Sequence, residues 1–168
     1  MSADQLVHDL LDRDPLRSEI VARWGDEVVT EGRVDRHAVG SRVFNDPDEL
    51  EWLESKVHPL VRAEVASWVA DVDSGLAVVE VPLLFETEFT DRFAATVAIV
   101  ADDEVRRERA GARGQAGLEG REGRQLSQER KAALADHVVV NDGTVKELED
   151  ALGELLSELG IELTPPAG

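Results

Sequence analysis

The chain has 168 residues, enough for one domain with a sizeable buried core. Its composition (42% hydrophobic, 32% charged, 4% aromatic) excludes a disordered chain, and its formal charge of -18 excludes a general nucleic-acid binder. Cysteine is absent, which excludes disulfides and thiolate zinc sites, and no apolar run is long enough to span a membrane.

In chain order, Leu6, Val7, Leu10 and Leu11 recur at helical spacing behind Ser2-Ala3-Asp4. Asp4 falls near the start of that helix, where a carboxylate is favoured, so capping is its ordinary role. Asp14-Pro15 starts a second helix that runs to about Trp24 and ends at Gly25-Asp26. Glu31-Gly32-Arg33 is a turn, and Val34-Asp35 leads into a short helix through Val39, Val43 and Phe44. Asn45-Asp46-Pro47-Asp48 is a strong helix start, with Asp46 as cap. That helix carries Leu50, Trp52, Leu53 and Val57 until His58-Pro59 interrupts it, and a further helical run holds Leu60, Val61, Val65 and Trp68. On periodicity alone His58 is a packed or capping histidine.

Asp73-Ser74-Gly75 then turns the chain into the apolar run Ala77 to Val81, which reads as a strand buried on both faces. Pro82 lacks an N–H and ends it, carrying Glu80 and Glu86 out at the carboxyl edge, where open α/β sheets bind ligands. Two carboxylates there either help hold Mg²⁺ and position a substrate or are solvated acids at a strand end. Ala94 to Ala101 is a second buried strand. Asp102 and Asp103 cap a helix on which Arg106, Arg109 and Arg113 share one face. After a glycine-rich stretch a helix resumes near Arg121 and runs through Gln125 and Lys131 to Ala135-Asp136. Val138 to Val140 is a third strand, Asn141 to Thr144 is a turn, and Val145 to Leu159 is the last helix. Strands alternating with helices indicate a parallel-sheet α/β fold.

Taken together, from about Ser2 to Leu159, these residues resemble the dephospho-coenzyme A kinase family. Ser2-Ala3-Asp4 looks like the family's Asp-Ala-Asp, with Ser2 replacing the first acid, and His8 falls where the family often has His or Arg. The segment Asp35 to Phe44 followed by His58-Pro59 is similar to its acyl-carrier-side helices. Val79-Glu80-Val81-Pro82-Leu83-Leu84-Phe85-Glu86 is the most specific match, with Glu80 where the family usually has Asp. Arg109 and Arg113 fit its Arg-x-x-x-Arg helix. Arg121, Gln125, Lys131, Ala135-Asp136 and Asn141-Asp142-Gly143 fit its lid helix and the turn beyond.

The resemblance implies an α/β fold of the P-loop kinase type, a three-layer parallel sheet with helices on both faces. It implies one kinase-like domain over 1–160, with a helical substrate-side insertion at about 14–73, a lid at about 113–125 and a disordered tail at 161–168. The implied activity is ATP-dependent phosphorylation of the ribose 3′-hydroxyl of dephospho-CoA in the cytoplasm. ATP and Mg²⁺ are the implied cofactors, and no membrane or nucleic-acid partner is implied. Asp4 takes the role of base, with Arg113 and Arg121 on the transferring phosphate. His8, His58, Pro82, Leu83 and Glu86 belong to the dephospho-CoA side, Arg113, Asn141 and Gly143 to the nucleotide, and Glu80 to the metal. The alternatives are a non-catalytic relative that binds a CoA-like ligand or a protein partner, and another small-molecule P-loop kinase.

One departure is large. The sequence contains no Gly-x-x-x-x-Gly-Lys-Ser/Thr loop, and none of Lys56, Lys131 or Lys146 stands in such a setting. The family's first strand, central in its sheet and lying between Ala77–Val81 and Ala94–Ala101, is missing with it. Unmade backbone hydrogen bonds cost about 1–3 kcal/mol each against a typical stability of about 5–15 kcal/mol. The expectation is therefore that Met1 is an internal methionine of a longer kinase, and that this chain transfers little phosphate.

Overall fold

Apolar residues at helical spacing dominate the first half of the chain, and in the computed structural model they form helices. The structure describes residues 1–44, 46–73, 75–87, 89–112 and 125–161. The chain divides into two compact units, Met1–Pro82 and Leu83–Gly168.

In the first unit, α1 (Ala3–Leu11) buries Ala3, Leu6, Leu10 and Leu11, and α2 (Leu16–Trp24) buries Leu16, Ile20 and Trp24. The Asp14 carboxylate accepts the Ser18 N–H at 3.2 Å and its hydroxyl at 2.5 Å, and Gly25 ends α2 at φ 79°. A 3₁₀ turn at Asp26–Val28 leads into a hairpin of β1 (Val29–Thr30) and β2 (Arg33–Val34). Glu31 and Gly32 both have positive φ, 53° and 79°, the backbone of a two-residue loop whose twist suits its strands. Asp35 accepts the backbone N–H groups of His37 and Ala38 and starts α3 (Arg36–Phe44). Asp46 does the same for Asp48 and Glu49 at the head of α4 (Pro47–Ala70).

The expected interruption at His58-Pro59 does not occur: α4 runs through Pro59 for 24 residues. Pro59 forfeits one ladder bond, but the apolar face continues on both sides of it. Val57 before it and Val65 after it are both buried, and α4 packs on α1 and α3. Tertiary burial outweighs the local helix-breaking preference.

The run Ala77 to Val81 also departs from expectation. It forms a single isolated parallel bridge, Ser2 with Glu80, and Val78 is 60% exposed. Its one bonded edge meets only Met1 to Ala3, too short a partner for a strand buried on both faces.

In the second unit, the chain past Pro82 forms a turn in which the Leu83 carbonyl accepts the Thr87 N–H and hydroxyl. After a 3₁₀ turn at Thr90–Arg92 come β3 (Val97–Val100), α5 (Asp103–Ala112), α6 (Gln128–Leu134), β4 (His137–Val140) and α7 (Val145–Glu158). β3 and β4 pair in parallel, with Ala98 beside Val138 and Ile99 beside Val139. Ala98 is buried where α6 packs on β3, and Val139 is buried where α7 packs on β4. The register puts those two residues on opposite faces, so each face has one buried residue. Each face is half covered: Ile99 is 54% exposed and Val140 59%. The expected burial of these strands on both faces is therefore reached only at alternate residues. α6 also starts later than expected, at the Ser127 cap, whose hydroxyl accepts the Arg130 N–H.

Candidate active site

At the head of the first unit, three residues act as the end of a parallel strand. The Met1 amino group donates to the Val78 carbonyl at 2.8 Å, the Glu80 N–H to Met1 O at 2.9 Å, and the Ala3 N–H to Glu80 O at 2.9 Å. The helix begins at once, so Asp4 sits in its first turn directly beyond the strand end. Ser2 precedes α1 but does not cap it, because its hydroxyl donates to Glu80 Oε2 at 2.7 Å. The exposed Asp4 carboxylate caps nothing either, and it has no hydrogen bond or ion pair among the described residues.

One turn on, His8 is half-buried on the same face of α1. Arg36, the first residue of α3, places Nη1 2.7 Å from its Nδ1 and 2.8 Å from its Nε2. A guanidinium only donates, so the ring nitrogen that receives it is the unprotonated one. Sequence reasoning missed Arg36; its one local signal is its place directly after the capping Asp35. Below this, Asp12 accepts the Val34 N–H at 2.8 Å and Arg33 at 2.8 Å. The Val34 bond, opposed by desolvation and aided by Arg33, holds the Asp12 carboxyl below the ordinary range. His58 lies in the middle of α4 and makes no hydrogen bond with Asp4 or His8. A cleft of about 340 Å³ lined by Arg17, Ser18, Val21, Ala22, Asp26 and Val29 contains none of the expected site residues.

In the second unit, Glu86 is nearly enclosed, with its side chain 11% exposed. Its Oε1 accepts the Leu126 N–H at 2.9 Å and pairs with Lys131 Nζ at 3.1 Å, while buried Oε2 has no partner among the described residues. Burial pushes this carboxyl up, but the backbone N–H groups and Lys131 outweigh burial and hold it low. Pro82 closes the first unit and Leu83 opens the second, where its carbonyl is occupied by Thr87.

Asn141 and Gly143 share the turn after β4. Arg109 donates Nη1 to the Asn141 carbonyl at 2.6 Å and Nη2 to the Gly143 carbonyl at 2.7 Å. The Asn141 N–H reaches Val100 O at 2.7 Å, and the Asp142 carboxylate accepts the Asp102 N–H at 2.6 Å. Gln128 pairs reciprocally with the N–H and carbonyl of Ala101, both at 2.9 Å. Gln128 was missed from the sequence and Asp142 was read only as part of a turn, since each acts through tertiary bonds that leave no periodic trace. Arg113, Arg121 and residues 162–168 lie outside the described residues.

Among the described residues no three His, Cys, Asp or Glu side chains are placed to hold a metal ion, and Glu80 is engaged with Ser2. The described residues by themselves do not form a Mg²⁺ site. No described helix is long and apolar enough to cross a membrane.

A family model described as dephospho-CoA kinase matches residues 1–147. A dephospho-CoA kinase of Protochlamydia amoebophila is 33% identical over 170 residues, covering 96% of this chain and 84% of that one. Its counterpart in Thermus thermophilus is 36% identical over 146 residues, covering 85% and 72%. A crystal structure from Thermus thermophilus superposes with a TM-score of 0.79 at 33% identity, covering 95% of this chain and 83% of that one. The dephospho-CoA kinase of Campylobacter jejuni shares the fold, with a TM-score of 0.68 at 24% identity over the same shares.

Proposed function

The chain belongs to the dephospho-CoA kinase family, and on that premise we propose that it is built for transfer of the ATP γ-phosphoryl group to the ribose 3′-hydroxyl of dephospho-CoA. The observation that carries the reading is the unpaired Asp4 carboxylate, held at the junction of a bonded strand end and a helix. In the reaction the ribose oxygen attacks the γ-phosphorus, its proton passes to Asp4, and the bond to the β-phosphate oxygen breaks to release ADP. Phosphoryl transfer depends mainly on positioning and charge neutralisation, and a placed base adds about 10²–10⁴-fold.

Arg113 and Arg121 are assigned to the transferring phosphate and Asn141 and Gly143 to the nucleotide. His8, His58, Pro82, Leu83 and Glu86 are assigned to dephospho-CoA. On this reading 1–160 is one kinase-like domain working in the cytoplasm, with 14–73 as its substrate side. The 168 residues hold no Walker A loop, whose backbone N–H groups and lysine grip ATP phosphates. Slow turnover follows.

Calorimetric titration with dephospho-CoA and a coupled ADP-release assay test this together. Dephospho-CoA binds, ADP release is slow, and Asp4→Asn lowers that release by about 10²-fold or more while binding persists. No binding of dephospho-CoA by the wild-type chain sinks the reading. The second reading is a non-catalytic CoA-ligand binder, and binding with no ADP release above background selects it.

A further inference from the structure

Arg36 carries a charge that no carboxylate cancels. Nearby arginines are paired: Arg33 with Asp12, Arg42 with Glu27 and Arg23 with Glu49. Arg36 forms no ion pair among the described residues, and its one partner is the His8 ring, 2.7 and 2.8 Å from Nη1. A ring nitrogen that accepts from a guanidinium belongs to a neutral imidazole, which holds the group without cancelling its charge. The remaining N–H donors of Arg36 make no bond among the described residues, in a chain of 36 acidic and 18 basic side chains. The base of the side chain is fixed. Asp35, directly before it, donates its N–H to Val28 O at 2.8 Å and accepts the His37 and Ala38 N–H groups.

We propose that Arg36 binds the diphosphate bridge of the acceptor, at the phosphate on the ribose 5′ carbon, and makes the site select an acceptor charged there. The inference rests on the dephospho-CoA-using reading above and deepens it with a residue that the resemblance did not assign. On that reading Asp4 marks where the ribose 3′-hydroxyl is held. His8 lies one helical turn beyond it on the same face, with about 5–6 Å between Cβ atoms. The 5′-phosphate of a nucleotide lies one ribose ring beyond its 3′-hydroxyl, a span of the same order. The guanidinium beside His8 therefore stands where that phosphate falls when the hydroxyl is at Asp4. Its parallel N–H donors match two phosphate oxygens, and neutral His8 supplies no charge of its own. The transferring phosphate also approaches the 3′-hydroxyl. A group on that phosphate acts on turnover, whereas a group on the bridge acts on acceptor binding before ATP arrives.

The test titrates dephospho-CoA, without ATP, into the wild-type chain, Arg36→Gln and Arg36→Lys. Calorimetry gives Kd, phosphorus NMR gives the displacement of the diphosphate signals at saturation, and thermal midpoints are measured alongside. Arg36→Gln weakens binding about tenfold or more, through loss of charge-assisted bonds. It also shrinks the displacement of the diphosphate signals, and Arg36→Lys recovers part of both. Midpoints change little, because the side chain is exposed. In the coupled ADP-release assay Arg36→Gln raises KM for dephospho-CoA about tenfold and leaves kcat within about threefold of wild type. Kd and the phosphorus signals decide even where turnover is too slow to follow. Affinity of Arg36→Gln within about twofold of wild type overturns the inference, and a fall in kcat alone then moves Arg36 to the transferring phosphate. Weaker binding with a lower midpoint and unchanged diphosphate signals at saturation makes Arg36 structural and overturns it equally. A wild-type chain that does not bind dephospho-CoA instead overturns the reading beneath it.

Discussion

A Cβ added at Gly143 would stand 2.2 Å from Oε2 of Glu147. That oxygen accepts the Thr144 N–H at 2.7 Å and the Thr144 hydroxyl at 2.9 Å, while the hydroxyl receives the Glu147 N–H, so the clash falls on the capping box that starts α7. Gly143→Ala is expected to cost about 0.5–2 kcal/mol, the usual range for a lost cap. Urea denaturation measures it, and an unchanged midpoint would show that Glu147 swings aside without loss. The turn and the helix after it were legible in the sequence, but the capping box and the reason for the glycine were not. Asp4 shows the reverse case: its position was legible, but no hydrogen bond among the described residues supports its ordinary reading as a cap.

At the scale of elements, the helices whose signals are local came through. The cap at Asp46 and the stop at Gly25 work within a few residues, and so do the stripes of α1 and α2. Elements whose limits depend on distant partners did not. The run before Pro82 needed a strand long enough to pair with, and α6 starts late, after Leu126, which is tied to Glu86 forty positions earlier. Pro59 was misjudged for the same reason, since burial of Val57 and Val65 is tertiary. Pro59→Ala restores the missing N–H in a helix interior and is expected to stabilise the first unit by about 1–3 kcal/mol. A lower thermal midpoint would mean that Pro59 stabilises the first unit where it stands.

The tie between Glu86 and the start of α6 carries a pH dependence of definite sign. The folded carboxyl titrates below its ordinary value of 4.5, despite burial, because Leu126 and Lys131 favour its charged form. Its contribution to stability is therefore present above pH 4.5 and is lost as pH falls through the folded value. The unfolding free energy of the wild-type chain should decline on that acid limb. Glu86→Gln should be about 1–3 kcal/mol less stable at neutral pH, from a broken charge-assisted bond, and should decline less steeply. Parallel acid limbs for the two proteins would remove Glu86 as the cause.

For the molecule as a whole, 36 acidic side chains face 18 basic ones. Several of the basic ones are already used in exposed ion pairs, such as Arg13 with Glu64, Arg33 with Asp12 and Lys146 with Asp150. Exposed pairs of this kind contribute about 0–1 kcal/mol each, and salt screens them. Salt also screens the repulsion among the surplus carboxylates, which destabilises any compact state of large net charge. The two effects have opposite signs, and the excess of 36 over 18 decides between them. Raising KCl from roughly 20 mM to roughly 0.5 M, where the Debye length falls from about 20 Å to about 4 Å, is expected to raise the thermal midpoint by about 2 °C or more. The gain should level off once screening is complete, because beyond that point added salt removes no further repulsion. A midpoint that falls steadily with KCl would mean that the ion pairs, and not the surplus charge, govern the stability of this chain.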